Sequence, residues 1–141
     1  MARRPLITVI VYLTLLVGCA AIPQLSCPSS EERSVNEMLY FGTAKPRGVV
    51  TPKEWEVFLR TAITPRFPKG FTLWQASGQW QNSTRTIARE TSWVVSLVHP
   101  DDAVNEMAVA AIVDDYKGMF KQEAVLRVKS PVCVGKGTLS P

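Results

Sequence analysis

The sequence TPKEWEVFLRTAIT (residues 51–64) predicts the helix from which the rest of the fold is placed. Thr51 suits the N-cap, Pro52 suits the first helical position, and Glu54 completes a capping box with Thr51. The apolar residues that follow recur at the spacing of one buried helical face: Trp55, Phe58, Leu59, Ala62 and Ile63. Pro65 disfavours helical backbone at the residue before it, so the helix is predicted to end at Thr64.

The segments on either side of this helix predict four strands and a second helix. Residues 38–41 form a short apolar strand, and residues 71–81 and 87–99 form a hairpin, because the residues between them are typical of a loop. Acidic residues 101 and 102 begin the second helix, and residues 124–129 form the last strand. The predicted buried stripe of the second helix consists of Val104, Met107, Ala108, Ala111, Ile112 and Met119. This order predicts an α+β, ferredoxin-like βαββαβ fold, an antiparallel sheet with two helices on one face.

Length and composition agree with one globular domain. The chain has 141 residues, of which 46% are hydrophobic and 20% are charged, so intrinsic disorder and a polytopic membrane protein are excluded. The formal charge is +4, and it falls to +2 when Arg3 and Arg4 are left out (14 basic minus 12 acidic residues). So small a charge predicts no nucleic-acid partner.

The first residues have the layout of a bacterial export signal. Arg3 and Arg4 precede an uncharged apolar run, and Leu16-Val17-Gly18-Cys19 resembles the lipobox of bacterial lipoproteins. The resemblance implies that residues 1–18 are a signal peptide and that Cys19 carries lipid such as palmitate. The alternative is an ordinary signal, cleaved near Ala20 and Ala21, for a protein secreted to the periplasm without lipid. By resemblance to Gram-negative sorting, Ala20 in place of Asp favours the outer membrane, with the domain facing the periplasm.

Three further regions follow the signal. Residues 19–36 are polar and contain Pro23 and Pro28, which is typical of a tether. Residues 37–135 form the predicted ferredoxin-like domain, and residues 136–141 are predicted to be a flexible tail. The membrane is therefore an expected partner through the lipid anchor.

A disulfide between Cys27 and Cys133 is predicted. With Cys19 lipidated, these two cysteines remain as an even pair in an oxidising compartment. In a ferredoxin-like sheet the first and last strands are antiparallel neighbours, so the segment before the first strand lies beside the end of the last. Two unpaired thiols are the alternative.

Several motifs resemble a known bacterial family. They occur in this order: Tyr40-Phe41-Gly42, Thr64-Pro65-Arg66-Phe67-Pro68-Lys69-Gly70, Gly78-Gln79-Trp80, His99-Pro100-Asp101-Asp102, Tyr116-Lys117 and Gln122-Glu123-Ala124-Val125-Leu126-Arg127-Val128. Over residues 39–134 the chain resembles the bacterial domain of unknown function family 3574, which consists of small secreted or lipoprotein domains. It departs at Lys69, where an acidic residue is more frequent, and at Lys121, where glycine is common. The resemblance implies a location and a fold and brings no activity with it.

Strand alternation predicts one sheet face without helices. The helix-covered side is assigned Leu39, Phe41, Phe71, Leu73, Leu126 and Val128. The open side is assigned Met38, Tyr40, Trp74, Ala76, Gly78, Trp80, Val125 and Arg127. An uncovered aromatic face calls for a partner.

Three functions are compatible with such a face. The first, which we favour, is a binding or self-association module that forms a homodimer or binds another envelope protein. The second is a periplasmic binder of small anions, in which Arg66 or Arg127 meets the anion and tryptophans stack on it. The third is a cofactor-free enzyme resembling the small dimeric ferredoxin-like monooxygenases and isomerases, which we consider the less favoured class because polar residues are sparse. The candidate pocket residues are Tyr40, Arg66, Trp74, Trp80, Glu90, His99 and Arg127. No metal and no cofactor are predicted, since the single histidine has no cluster of ligands near it.

Overall fold

A computed structural model describes residues 25–81 and 83–135. Its elements are β1 (Glu31–Gly42), β2 (Ala44–Lys45), β3 (Gly48–Val49), α1 (Pro52–Phe58), a π-helical turn (Leu59–Ile63), β4 (Thr72–Gln81), β5 (Ile87–His99), α2 (Ala103–Phe120) and β6 (Leu126–Gly135). The predicted signal peptide, Cys19 and the predicted tail at residues 136–141 lie outside the described residues.

The four long strands form one antiparallel sheet in the order β4-β5-β1-β6. The predicted α+β class and the order strand, helix, strand, strand, helix, strand are confirmed. Strands β2 and β3 add a small two-stranded sheet between β1 and α1. The neighbours of β1 in the sheet are β5 and β6, so the first and last described strands of the chain lie side by side.

The capping box of α1 forms as the sequence predicts. The Thr51 hydroxyl accepts a hydrogen bond from the Glu54 N–H, and the Glu54 carboxylate accepts one from the Thr51 N–H. The π-helical turn continues the helix until Thr64. Trp55, Phe58, Ala62 and Ile63 are buried, and Leu59 is half-buried, which confirms the predicted face.

The core lies between the two helices and one side of the sheet, which we call the helix face. Phe41 of β1 packs its ring against Trp55, Phe58 and Tyr116, and Trp55 stacks on Trp93 with ring centroids 5.3 Å apart. Such ring contacts add to the free energy gained by burial. The opposite side of the sheet is the open face.

Helix α2 buries a different stripe from the predicted one. Val109, Ile112, Tyr116 and Phe120 are buried, whereas Val104 is 71% exposed and Met107 is 65% exposed. Ile112 is the only one of these four buried residues that also belongs to the predicted stripe. The helix is apolar on more than one side, and the rings of Tyr116 and Phe120 decide which side packs, because both contact Phe58.

Strands β1 and β6 are longer than predicted. β1 begins at Glu31, inside the segment predicted to be a tether, since Glu31–Tyr40 pair with Leu126–Gly135. Pro131 sits within β6, where the edge position tolerates a residue without an N–H donor.

The face assignment of β6 was wrong. Leu39 pairs with Arg127 and Tyr40 pairs with Leu126, so Arg127 shares the side of Leu39, while Leu126 and Val128 lie on the open face. Val125 also packs against the core. Residues 125–128 include apolar side chains at both odd and even positions, so the sequence alone does not show which set faces the helices. A shift of the strand register by one residue moves every side chain to the other face of the sheet.

The predicted disulfide joins Cys27 to Cys133, with Cα atoms 5.5 Å apart and a sequence separation of 106. It links the segment before β1 to the end of β6, as strand adjacency predicts. Among the described residues, no helix has the length and apolar character needed to span a membrane.

Candidate functional site

A pocket of about 410 Å³ opens on the open face at the end of the sheet where β1 finishes. Its floor is formed by Gly42 of β1, Gly78 of β4, and Glu90 and Ser92 of β5. The volume lies within the range of small-molecule sites in proteins. The disulfide lies near the opposite end of β1, so the pocket and the covalent link mark the two ends of the sheet.

Two glycines create the depression in this floor. A Cβ atom on Gly42 would lie 2.6 Å from the Glu90 Oε1, and one on Gly78 would lie 2.6 Å from the Ser92 Oγ. Side chains at either position would occupy the space that the β5 residues use. Glycine inside a strand marks a place of close approach, and here it admits the carboxylate and the hydroxyl.

Glu90 is held by the backbone of the segment after β1. Its carboxylate Oε2 accepts a hydrogen bond from the Ala44 N–H, and the carboxylate lies over Gly42. The side chain is half-buried and makes no ion pair with the described residues. It is therefore an oriented hydrogen-bond acceptor without an ion-pair partner in the described part of the chain.

Aromatic and apolar side chains form the walls. Trp80 of β4 is 47% exposed, and Leu126 of β6 is 53% exposed on the other side. The Tyr40 hydroxyl contacts the sulfur of Met38 at 3.9 Å, which is a weak hydrogen bond. The pocket thus offers one indole face and one phenol for contact with a flat group.

Two loops form the rim and are joined to each other. The Gln122 Nε2 donates to the Ala44 carbonyl, which connects the segment after α2 to the turn after β1. The Ser83 hydroxyl donates to the Glu123 carboxylate at 3.1 Å, which connects the hairpin loop to the same segment. These bonds hold the rim over the floor without covering the opening.

Lys45 at the rim is already neutralised. Its ammonium donates to both carboxylate oxygens of Glu54, at 2.8 and 3.0 Å. The hydrogen bond from Lys45, together with those from Thr51, lowers the pKa of Glu54 to about 2. Below the floor, burial raises the pKa of Tyr116, whose hydroxyl donates to the Gly42 carbonyl at 2.8 Å.

The structure brings together three of the predicted pocket residues and separates the others. Tyr40, Trp80 and Glu90 line the pocket. Trp74 shares the open face and is 41% exposed, but it lies outside the pocket. Tyr40, Trp80 and Glu90 come from β1, β4 and β5. Predicting that they converge therefore requires the order of the strands in the sheet as well as the alternation within each strand.

Arg66, His99 and Arg127 lie elsewhere, each with acidic or carbonyl partners. Arg66 lies shortly after the π-helical turn and pairs with Asp115 of α2 at 2.9 Å. His99 is buried on the helix face at the far end of β5, where its Nδ1 lies 2.8 Å from the Pro100 carbonyl. None of the three lines the pocket, so the predicted convergence of His99, Glu90 and Arg127 does not occur.

Arg127 and His99 both contact a second carboxylate, that of Glu37. Glu37 of β1 is fully buried on the helix face, with Arg127 hydrogen-bonded to its Oε1 and the His99 Nε2 at 3.3 Å from its Oε2. Arg127 also donates to Glu106 at 2.9 Å. Burial alone would lower the pKa of Arg127, but hydrogen bonds to these two carboxylates outweigh it and raise the pKa. This cluster is an internal ion pair, not part of the pocket.

Sequence analysis missed Gly42, Gly78 and Ser92 as site residues. A usable signal existed for the glycines, because each interrupts a strand pattern. Ser92, Lys45 and Gln122 carried no signal of their own, since loop packing places them. Among residues 25–81 and 83–135, no group of His, Cys, Asp and Glu side chains has the geometry of a metal site.

Comparison with solved structures finds a phage enzyme of similar fold. A phage SAM lyase in complex with S-methyl-5′-thioadenosine has 11% identity and a TM-score of 0.55, over 82% of this chain and 97% of that chain. The apo state of phage SAM lyase has 12% identity and a TM-score of 0.49, over 84% and 100%. Identity this low shows a shared fold alone.

Among curated proteins, no match to the chain is found. The family described as "Protein of unknown function (DUF3574)" matches residues 36–135, which is most of the chain. The matched range begins within β1 and ends with β6, so it includes most of β1, the other strands of the sheet and both helices. The chain therefore belongs to the DUF3574 family, as its motifs predicted.

Proposed function

We propose that this domain is a binding module and that the pocket around Glu90 is its small-molecule site. The observation that carries the proposal is the depression produced by Gly42 and Gly78, which exposes an oriented carboxylate beneath Trp80. A concave, largely apolar site with a few convergent polar groups is the usual form of a ligand pocket. The phage SAM lyase, which is complexed with a nucleoside derivative, supports the proposal as a protein of similar fold that holds a small molecule.

The test compares what copurifies with the full-length chain and with two tryptophan variants. The chain is purified from a bacterial envelope in a mild nonionic detergent, and small molecules released by denaturation are identified by mass spectrometry. Trp80→Ala should lose a compound that the wild type retains, because it removes one wall of the pocket. Trp74→Ala is the matched control and should retain it. Identical sets of compounds from the wild type and Trp80→Ala would contradict the proposal.

Self-association is the second candidate, favoured by the part of the open face beyond the pocket. Trp74, Val98 and Val128 are 41%, 50% and 41% exposed there, and Met38 lies between them. Burial of such side chains against a second copy is favourable. These residues come from all four strands of the sheet, so they lie on one continuous surface.

Light scattering in detergent, with the micelle mass subtracted, tests self-association. The wild type should have the mass of a dimer, and Val98→Glu should be a folded monomer. Val104→Glu, at an exposed position on α2, is the control and should remain a dimer. A monomeric wild type would contradict this candidate.

We also propose that the domain is anchored to the outer membrane by lipid on Cys19 and faces the periplasm. The support is the sequence alone, where a basic and apolar leader is followed by Leu16-Val17-Gly18-Cys19. Radiolabelled palmitate should enter the wild type and Cys27→Ser, but not Cys19→Ser. Equal labelling of Cys19→Ser would show that the protein is not lipidated there.

A further inference from the structure

We infer that the pocket selects ligands in which a positively charged amine is joined by a short arm to an aromatic ring. This inference rests on the proposed function, because it names the ligand class of the same pocket. It differs from the anionic ligand expected from the sequence, since Arg66 and Arg127 are engaged outside the pocket.

The charge of the floor is the first support. Glu90 is the ionisable group among the floor residues Gly42, Gly78, Glu90 and Ser92, and it forms no ion pair within the described part of the chain. The rim cation Lys45 donates hydrogen bonds to both carboxylate oxygens of Glu54. An anionic group on the floor would face the Glu90 carboxylate, whereas an ammonium group would form a charge-assisted hydrogen bond with it.

The remaining rim charges form a balanced pair at the opening. Lys121 is exposed at the left-handed C-cap of α2, and Glu123 is exposed and hydrogen-bonded to Ser83. Both are more exposed to solvent than Glu90, which weakens their effect on a bound group. The half-buried carboxylate is therefore the charge that discriminates between ligands.

The walls supply the second support. Trp80 and Tyr40 flank the floor, so a ligand ring can stack on the indole while its ammonium reaches Glu90. Indole and phenol rings also attract cations through their negatively charged faces. A carboxylate together with two aromatic rings forms the same chemistry that proteins use to bind alkylammonium groups.

The size of the pocket limits the ligand. About 410 Å³ is near the lower end of the range for small-molecule sites, so one ring system with a short side chain fits. Leu126 borders the pocket on the side of β6 and contributes apolar contact to the ring. The floor contributes Ser92, which offers a hydroxyl within the same depression as Glu90.

The test uses three probes with the same ring and different charge: phenethylamine (+1), 2-phenylethanol (neutral) and phenylacetate (−1). Binding to the full-length chain in nonionic detergent is followed by fluorine NMR after incorporation of 5-fluorotryptophan. The four tryptophans give four signals, and Trp80→Phe assigns the signal of the pocket. Trp74 reports the open face outside the pocket, and Trp55 and Trp93 report the folded core.

Phenethylamine should move the Trp80 signal in a saturable way and leave the Trp74 signal in place. Its Kd should be at least about tenfold lower than that of 2-phenylethanol, the ratio expected for one charge-assisted hydrogen bond. Phenylacetate should bind most weakly. Glu90→Gln should raise the Kd of phenethylamine to about that of 2-phenylethanol, while Glu56→Gln, on the exposed side of α1, should leave it unchanged.

The outcomes separate this inference from the proposed function. Equal binding of all three probes at Trp80, tighter binding of phenylacetate, or an unchanged Kd in Glu90→Gln with core signals intact would overturn the ligand class and leave a binding pocket. If none of the probes moves the Trp80 signal, the ligand class is also overturned, and the copurification test with Trp80→Ala decides whether the pocket is a ligand site.

Discussion

Glu37 and Glu90 are two carboxylates on opposite faces of one sheet, and their surroundings differ. Glu37 is fully buried and receives Arg127 and His99, whereas Glu90 is half-buried and receives a backbone N–H. A buried charge is tolerated when partners neutralise it and hydrogen-bond to it. Glu37 therefore contributes to structure, and Glu90 remains available to a ligand.

The dependence of Glu37 on its partner is testable by a double-mutant cycle. Arg127→Met should lower the free energy of unfolding by about 3 kcal/mol, because it leaves the Glu37 carboxylate buried without its main counter-charge. Glu37→Met combined with Arg127→Met should recover most of this loss. Urea unfolding measures both. Additive losses in the double variant would show that the two side chains are not coupled.

Gly42 and Gly118 allow one substitution to be compared in two surroundings. Gly42→Ala should displace the Glu90 carboxylate, since its Cβ would lie 2.6 Å from Oε1, and should lower the unfolding free energy by about 1 kcal/mol through loss of the hydrogen bond from the Ala44 N–H. Gly118→Ala, in α2 with open space around it, should raise it by about 0.5–1 kcal/mol.

Chemical denaturation of both variants measures whether the unfolding free energy falls in Gly42→Ala and rises in Gly118→Ala. A Gly42→Ala variant as stable as the wild type, with an unmoved Trp80 fluorine signal, would show that Glu90 does not need the space above Gly42.

The sequence predicted the place of a single residue only where strand alternation or the residue type assigns it to one face of the sheet. Tyr40 and Trp80 were identified because they share the open face of their strands, and Glu90 was named only as an ionisable candidate for the pocket. Arg127 was assigned to the wrong face, since residues 125–128 are apolar on both alternations and the buried Glu37 that attracts it had no sequence signal. The role of Gly42 depends on a carboxylate from a strand nearly fifty residues later, which alternation alone does not reveal.

Helix α1 was predicted well because its signals are local. The N-cap, the proline at the first turn and the apolar spacing all lie within the segment itself, and the structure contains each of them. Helix α2 was predicted less well in its orientation. Its sequence permits two apolar stripes, and the choice between them depends on Phe58 of another helix, with which Tyr116 and Phe120 make ring contacts.

The start of α1 should contribute a pH-dependent part of the stability. The pKa of Glu54 is lowered from 4.5 to about 2, first by the hydrogen bond from Lys45 and then by those from Thr51. A lowered pKa stabilises the fold above about pH 4.5, and this stabilisation is lost as the pH falls through about 2. The Tm difference between the wild type and Glu54→Gln should therefore shrink between pH 5 and pH 2.

Circular dichroism melting curves at several pH values measure this difference. Glu56→Gln is the matched control, because the Glu56 side chain is exposed on the same helix and makes no hydrogen bond or ion pair with the described residues. Its Tm difference from the wild type should stay constant. A constant difference for Glu54→Gln as well would contradict the assigned role of the capping box.

The assembled sheet depends on contacts between distant parts of the chain, and one of them is covalent. Replacing both Cys27 and Cys133 by Ser should lower the free energy of unfolding by about 2–4 kcal/mol, chiefly because the unfolded chain gains freedom. Denaturation in urea with and without a reducing agent measures it. The reductant should destabilise the wild type and leave the double Ser variant unchanged; equal stability of the two proteins would contradict the effect.

The strand order was predictable because element order and chain length left few topologies. The bounds of β1 were not, since residues 31–37 are polar on the exposed side and resemble a tether. Pairing with β6 and the disulfide bring these residues into the sheet. The pocket required the whole assembly, because β1, β4, β5 and β6 each contribute to it.

The position of the disulfide also determines how the domain would bear mechanical tension. A pull on the segment before β1 reaches Cys27 first, and the covalent bond passes the force to Cys133 in β6. Both strands are then loaded from the same end, so the hydrogen bonds between them are not broken one at a time from Glu31, and the bonds between β1 and β5 resist the pull in shear. β1 extends over 12 residues, or about 36 Å, between this point and Gly42. If Cys19 is the anchor, the pocket lies at the end of β1 farthest from the point where the tension enters.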